Sequence, residues 1–229
     1  MNTNSISFHL QEIHSAIKSV KQVSHADQAV QLLAVSKAQS AAAIREAYAA
    51  GQRQFGENYL QEALDKQAQL SDLAILWHFI GPIQSNKTQL IAQHFDWVHS
   101  VDRLKIAQRL NDARANNSTP LQVCVQINIS NEASKSGVLV ADLEATVAAI
   151  TKLPHLQLRG LMAIPAPSQD LSVQRQQFKQ VRQCYDNLVA LGYQLDTLSI
   201  GMSDDYAAAI EQGATIVRIG SALFGARPQ

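Results

Sequence analysis

The chain has 229 residues, enough to bury one sizeable core and within the range in which an α/β barrel forms one domain. Its 46% hydrophobic and 17% charged residues are ordinary for a folded globular protein, and 19 basic residues balance 19 acidic ones. A net charge of zero, with no basic stripe, argues against nucleic acid or an anionic membrane surface as partner.

The N-terminus MNTNSISFHLQEI lacks the basic and apolar regions of a signal peptide. No apolar run reaches the ~20 residues of a membrane helix. The expected location is therefore the cytoplasm. Cys124, in the apolar run VCVQINI, and Cys184, in a helical pattern, have no paired spacing and read as reduced packing residues.

In chain order, the spacing of Ile6, Leu10, Ile13, Ile17 and Val20 predicts an amphipathic N-terminal helix. Short apolar runs follow at 32–37, 54–57, 76–81, 97–101, 122–129, 156–164, 197–201 and 215–220. Between them lie longer segments rich in Ala, Gln, Leu and Arg, which are good helix formers. Gly51, Gly192 and Gly213 stand where helix stops are expected. Eight strand–helix repeats with near-continuous apolar strands predict an α/β fold of the (β/α)8 TIM-barrel type. Residues 1–229 read as one domain, with the extra helix in 1–25 and the barrel in 30–227. A doubly wound open sheet is the second choice, weakened because no GxGxxG follows the first strand. The stretch PAPSQD at 165–170 is the longest loop and is expected to cover the barrel mouth. After the eighth strand only SALFGARPQ remains, leaving the last helix position nearly empty.

Barrel chemistry sits at the C-terminal strand ends. Those ends are Lys37, Glu57-Asn58, His78 with Gly81, His99 with Asp102, Asn128 to Asn131, Met162, Gly201 to Ser203, and Gly220-Ser221. Lys37 closes an apolar strand. It reads either as a desolvated, nucleophilic amine or as a strand-end lysine reaching solvent. The seventh and eighth strands both end in glycine followed by small or hydroxyl residues, Ser199-Ile200-Gly201-Met202-Ser203 and Arg218-Ile219-Gly220-Ser221. Loops at these two places often cradle a phosphate; two ordinary βα turns with helix caps are the alternative. Ser203 is expected to cap a helix starting at Asp204, and Ser221 to begin a last short helix. Asp204 and Asp205 would repel a phosphate unless turned outward. Arg218, between Val217 and Ile219, needs a buried acceptor, either a ligand's ring nitrogen or a carboxylate. His78 and His99 read as packed strand histidines, and no metal is expected, because no cluster has metal-ligand spacing. Lys87 and Lys135 lie in polar loops without the desolvation expected of Lys37.

The motifs AVSK, FGENYLQE, WHFIGPIQSNK, SVDRLKIAQRLN, QINISNEASKSG, LRGLMAIPAP, LSIGMSDDYAAAI and VRIGSALFGAR, running from about residue 30 to Arg227, together resemble the YggS/PROSC family of pyridoxal 5′-phosphate (PLP) homeostasis proteins. The resemblance implies a barrel similar to the N-terminal domain of alanine racemase. It implies PLP bound as a Schiff base on Lys37 and Asn58 near the ring or its 3′ oxygen. It also implies Arg218 at the pyridine nitrogen, and the phosphate held by Ser199, Met202, Ser203, Gly220 and Ser221. His78 and Met162 are expected beside the ring. The sequence departs from some members in ending ARPQ, so a role tied to a lysine-bearing tail is not carried over.

An arginine at the ring nitrogen would keep that nitrogen unprotonated and weaken the electron sink. The expected function is therefore PLP homeostasis without efficient catalysis: a monomer that holds PLP and supplies it to apo PLP-dependent enzymes. An amino-acid racemase is the alternative, and a Schiff-base aldolase on a sugar phosphate is a third reading. A racemase needs a second acid/base group opposite the lysine, and none of the five tyrosines is a clear candidate at a strand end.

Overall fold

A computed structural model describes residues 5–24, 26–130 and 136–225. The described elements run α1 (Ile6–Ser24), β1 (Gln31–Val35), α2 (Ala41–Ala49), β2 (Gln54–Glu57), α3 (Leu60–Gln69), β3 (Leu76–Phe79), α4 (Thr88–His94), β4 (Trp97–Val101) and α5 (Leu104–Arg114). They continue with β5 (Leu121–Asn128), β6 (Val138–Leu139), α6 (Leu143–Ile150), β7 (Leu156–Met162), α7 (Leu171–Ala190), β8 (Thr197–Ser199), α8 (Tyr206–Glu211), β9 (Ile216–Ile219) and α9 (Ser221–Phe224).

Eight of the strands pair in parallel in the ring β1-β2-β3-β4-β5-β7-β8-β9, which closes by β1 pairing with β9. All eight strands expected from the sequence are present. The two-residue β6, which has no counterpart in the sequence reading, pairs in parallel with the end of β5 outside the ring. Several strands end one or two residues earlier than the apolar runs do. Burial continues there: Ile80, Ala163 and Ile200 are buried beyond the last strand residue, and their N–H groups still donate to the Glu57, Ser199 and Ile216 carbonyls of the neighbouring strands. Gly51, Gly192 and Gly213 all take positive φ just after helices, as the stop signals require.

The main apolar layer lies between barrel and helices and includes the fully buried Phe55, Phe79, Phe95 and Phe178. Burying each such ring contributes about 1.5–3 kcal/mol. A second cluster of Leu33, Ile80 and Ile216, with Val35 against it, is separate from that layer. The N-terminal helix packs beside the short helix that follows β9. Leu10, Ile13 and Ile17 form its buried stripe, and it packs on α2, α8 and the single-turn α9. It thus takes the place between the last and first repeats, and the His9 Nδ1 bond to the Leu223 carbonyl (3.0 Å) ties it to α9.

Candidate functional site

A cavity of about 440 Å³ opens at the C-terminal strand ends, within the size range of small-molecule sites. Its wall takes Val35 from the end of β1, Lys37 and Gln39 from the turn after it, Asn58 from just after β2 and Ile80 from just after β3. Ile164 follows β7, Met202, Ser203 and Asp204 follow β8, and Arg218, Gly220, Ser221 and Gly225 come from β9 and beyond. Seven of the residues expected at the site therefore converge on one cavity: Lys37, Asn58, Met202, Ser203, Arg218, Gly220 and Ser221.

β1 ends at Val35, so Lys37 stands in the turn that follows and not within the strand. It is half-buried. Asn58 is placed by a close approach: a Cβ on Gly81 would lie 2.0 Å from the Asn58 carbonyl oxygen, so only glycine lets the loop after β3 pass there. The side-chain Oδ1 of Asn58 is buried without an internal partner among the described residues.

Arg218 is 4% exposed. Its Nη1 donates to the carbonyl (2.6 Å) and Oγ (2.9 Å) of Ser199, and its Nη2 to the Ala163 carbonyl (3.0 Å). These hydrogen-bond acceptors are all neutral oxygens. Burial pulls the guanidinium down to about 10, which leaves it charged at neutral pH. The Ser203 and Ser221 hydroxyls lie 3.3 Å apart, bringing together the loops after β8 and β9.

Three expected site residues lie elsewhere. His78, Met162 and Ser199 are each at most 1% exposed and are not part of the cavity wall. Ser199 Oγ lies 2.8 Å from His99 Nδ1, and His99 Nε2 lies 2.9 Å from His78 Nδ1. This chain joins β3 and β4 to β8 and β9, non-adjacent strands, and so crosses the barrel interior. The Ser199 hydroxyl, expected at the phosphate, is buried and bonded to His99 and Arg218. Burial pulls His78 down to about 3 and His99 well below the ordinary value, so both are neutral. His78 stacks on Trp97, with centroids 5.3 Å apart.

The loop after β8 also differs from expectation. α8 starts at Tyr206 and Asp205 is its N-cap, so Ser203 is not the cap. Asp205 Oδ1 accepts the Met202 N–H at 2.6 Å, which withdraws that donor from a phosphate and leaves Met202 only its partly exposed side chain. Burial raises the Asp205 carboxyl, opposed by its own hydrogen bond and by Arg218. Asp204 stands on the cavity wall. Ser221 does begin α9. The loop expected to cover the mouth contributes no residue of 165–170 to the wall; Ile164 just before it does. Lys87 is exposed, and Asn131 and Lys135 lie outside the described residues.

An ionic cluster stands behind Lys37. Lys66 on α3 bridges Glu57 and Glu62 at 2.8 and 2.5 Å. Its only sequence signal is the Glu62–Lys66 spacing of four, common on solvated helix faces.

The donor set fits PLP. It offers an amine at Lys37, an amide at Asn58 with an unpartnered oxygen, a buried cation at Arg218, and two adjoining hydroxyls for an anionic tail. Among the described residues no group of His, Cys, Asp and Glu could hold a metal ion.

Comparison with known proteins agrees with this architecture. A family described as alanine racemase, N-terminal domain, matches residues 8–228. A Pseudomonas aeruginosa protein named pyridoxal phosphate homeostasis protein is 57% identical over 225 residues, covering 98% of this chain and 96% of its own. An Escherichia coli protein of the same name is 50% identical over 228 residues, covering 98% and 97%. Among solved structures, PipY of Synechococcus elongatus with PLP bound is 40% identical and superposes with a TM-score of 0.86, over 96% of this chain and 100% of that one. The chain belongs to the alanine racemase N-terminal-domain family and, within it, to the pyridoxal phosphate homeostasis proteins.

Proposed function

We propose that this protein binds PLP reversibly in the barrel-mouth cavity, covalently through Lys37, and serves PLP homeostasis by buffering the cofactor and supplying it to apo-enzymes. The observation that carries the reading is the convergence of Lys37, Asn58, Arg218, Ser203 and Ser221 on one cavity of about 440 Å³. The PLP-bound structure of the similar PipY supports it. Bound PLP supplies an aldehyde that condenses with an amine and a ring that accepts electrons. Lys37 provides the amine. The Ser203 and Ser221 hydroxyls, with backbone N–H groups around Gly220, hold the phosphate. Asn58 orients the ring face, while His78 and Met162 support the floor from within the barrel.

Arg218 faces the ring nitrogen. A guanidinium donates hydrogen bonds but does not give up its proton, so it keeps the ring nitrogen an unprotonated acceptor. That arrangement favours storage over carbanion chemistry, and on this ground we place efficient racemisation outside the function. No described helix is long and apolar enough to cross a membrane, and we assign the protein to the cytoplasm, where apo-enzymes need the cofactor.

The test pairs transfer of PLP from the loaded protein to an apo-enzyme with a chiral assay of each common L-amino acid. The reading expects reactivation of the apo-enzyme and negligible racemisation. Turnover of about 1 per second or more, ordinary for an enzyme, would make the racemase the better account.

A further inference from the structure

We infer that Lys66 is a positioning residue for Lys37: with Glu57 and Glu62 it clamps both peptide groups that carry the Lys37 side chain. The inference rests on the proposed role of Lys37 and adds to it the device that aims the amine.

Lys66 is 5% exposed and Glu57 is fully buried. The three donors of an ammonium have three acceptors here. Lys66 Nζ donates to Glu57 Oε1 (2.8 Å), Glu62 Oε1 (2.5 Å) and the Ser36 carbonyl (2.7 Å). A pair made only to join β2 to α3 would need no more than the Glu57 contact. This cluster instead reaches across to the neighbouring β1 turn. Ser36 Oγ donates to Glu57 Oε1 at 2.6 Å, and the Ala38 N–H donates to Glu62 Oε1 at 2.6 Å.

The Ser36 carbonyl belongs to the peptide group before Lys37, and the Ala38 N–H to the peptide group after it. Those two groups fix the direction of the Lys37 Cα–Cβ bond. Both are held by side chains of α3, which does not carry Lys37, and the Ser36 carbonyl also accepts the Gln39 N–H of its own turn (3.0 Å). Ala38 itself has a φ of 58°, a left-handed conformation that alanine avoids unless its surroundings impose it. The turn closed by the Gln39 N–H to the Ser36 carbonyl (3.0 Å) requires it at this position, and the bond from the Ala38 N–H to Glu62 holds that turn against α3. Lys66 is therefore consumed as a clamp and is no second site for PLP.

The covalent step is a condensation without redox change: the Lys37 nitrogen displaces the aldehyde oxygen, which leaves as water with the two nitrogen protons. Its rate depends on the approach of the amine, and a misplacement of about 1 Å costs on the order of 100-fold. The clamp thus acts on formation of the bond, while ring and phosphate contacts act on affinity.

The experiment separates the two with pyridoxine 5′-phosphate, which has the ring and phosphate but no aldehyde. For Glu62→Ala, Glu62→Gln and Lys66→Met we measure its affinity, the rate of covalent PLP attachment, and amide hydrogen exchange at Ala38 without ligand. The clamp predicts that Glu62→Ala slows attachment on the order of 10- to 100-fold, exposes the Ala38 amide to exchange, and keeps wild-type affinity for pyridoxine 5′-phosphate. Glu62→Gln, which retains an acceptor, recovers most of the rate. Lys66→Met follows Glu62→Ala; if it does not fold, Glu62→Ala decides. Attachment at the wild-type rate in Glu62→Ala, or equal losses in attachment and pyridoxine 5′-phosphate affinity, overturns the inference. Absence of attachment in the wild type defeats the proposed role of Lys37 instead, and the Ala38 exchange still reports the clamp.

Discussion

On the β1–β2 side of the cavity, Lys37 stands on a turn held by a buried cation and two carboxylates. On the β8–β9 side, the buried cation is Arg218, and it is held by two carbonyls and a hydroxyl, with neutral histidines behind. The first wall spends its cation internally and presents a separate amine. The second presents its cation directly to the cavity. A direct carboxylate pairing at Arg218 would compete with a ligand for the guanidinium; neutral acceptors orient it, and Asp205 acts on its charge without a hydrogen bond to it. The difference shows how one barrel mouth holds a nucleophile on one side and an anion-seeking surface on the other.

The strongest way to break this comparison is to remove the second cation. Arg218→Met removes the Arg218 donor from the buried Ala163 carbonyl and leaves the Ser199 carbonyl only its bond from the Ala163 N–H, at roughly 1–3 kcal/mol for a buried group left unpaired. Urea unfolding should report a loss of about 1–3 kcal/mol. A variant within 1 kcal/mol of wild type would mean that these bonds do not hold the wall.

Acid should weaken the second wall through its histidines. The folded state keeps His78 near 3, against an ordinary 6.5, so it binds fewer protons than the unfolded chain. The stabilising contribution is present above about pH 6.5 and is lost as pH falls from there toward 3. The slope is up to about 1.4 kcal/mol per pH unit for each neutral buried histidine. His78→Asn should flatten this dependence in unfolding measured between pH 7 and pH 4; an unchanged slope would contradict a neutral His78.

The smallest effects belong to the hydroxyls. Ser203→Ala and Ser221→Ala should each weaken PLP binding by about 1 kcal/mol or somewhat more, the worth of one hydrogen bond to a charged group. Gly220→Val should cost more than either. A Cβ at that position already meets the Val35 carbonyl oxygen at 3.1 Å, and the added branches crowd the cavity wall. Equal PLP affinity in Gly220→Val and wild type, measured by equilibrium titration, would sink the cradle.

Much of this was legible in the chain. Apolar runs and glycine stops placed all eight barrel strands because burial and helix termination are local properties. The loops after β8 and β9 could be found because the barrel puts strand ends at one face. What failed was geometry set by distant partners. Ser199 has the sequence surroundings of a phosphate loop, yet strand parity turns its hydroxyl inward to His99 and Arg218. Ser203 looks like a helix cap, but Asp205 takes that place. Glu62 and Lys66 look like an ordinary surface pair on a helix. Only the approach of α3 to the β1 turn, 30 residues away in sequence between Ser36 and Lys66, reveals their third partner.

The central claim is that Lys37 carries the cofactor, and borohydride reduction of the PLP-loaded protein followed by peptide mapping tests it most directly. The account predicts one stable pyridoxyl label, on the peptide containing Lys37, and its loss in a folded Lys37→Ala variant. A label on Lys66, Lys87 or Lys135 in the wild type, or an undiminished label in Lys37→Ala, would contradict it.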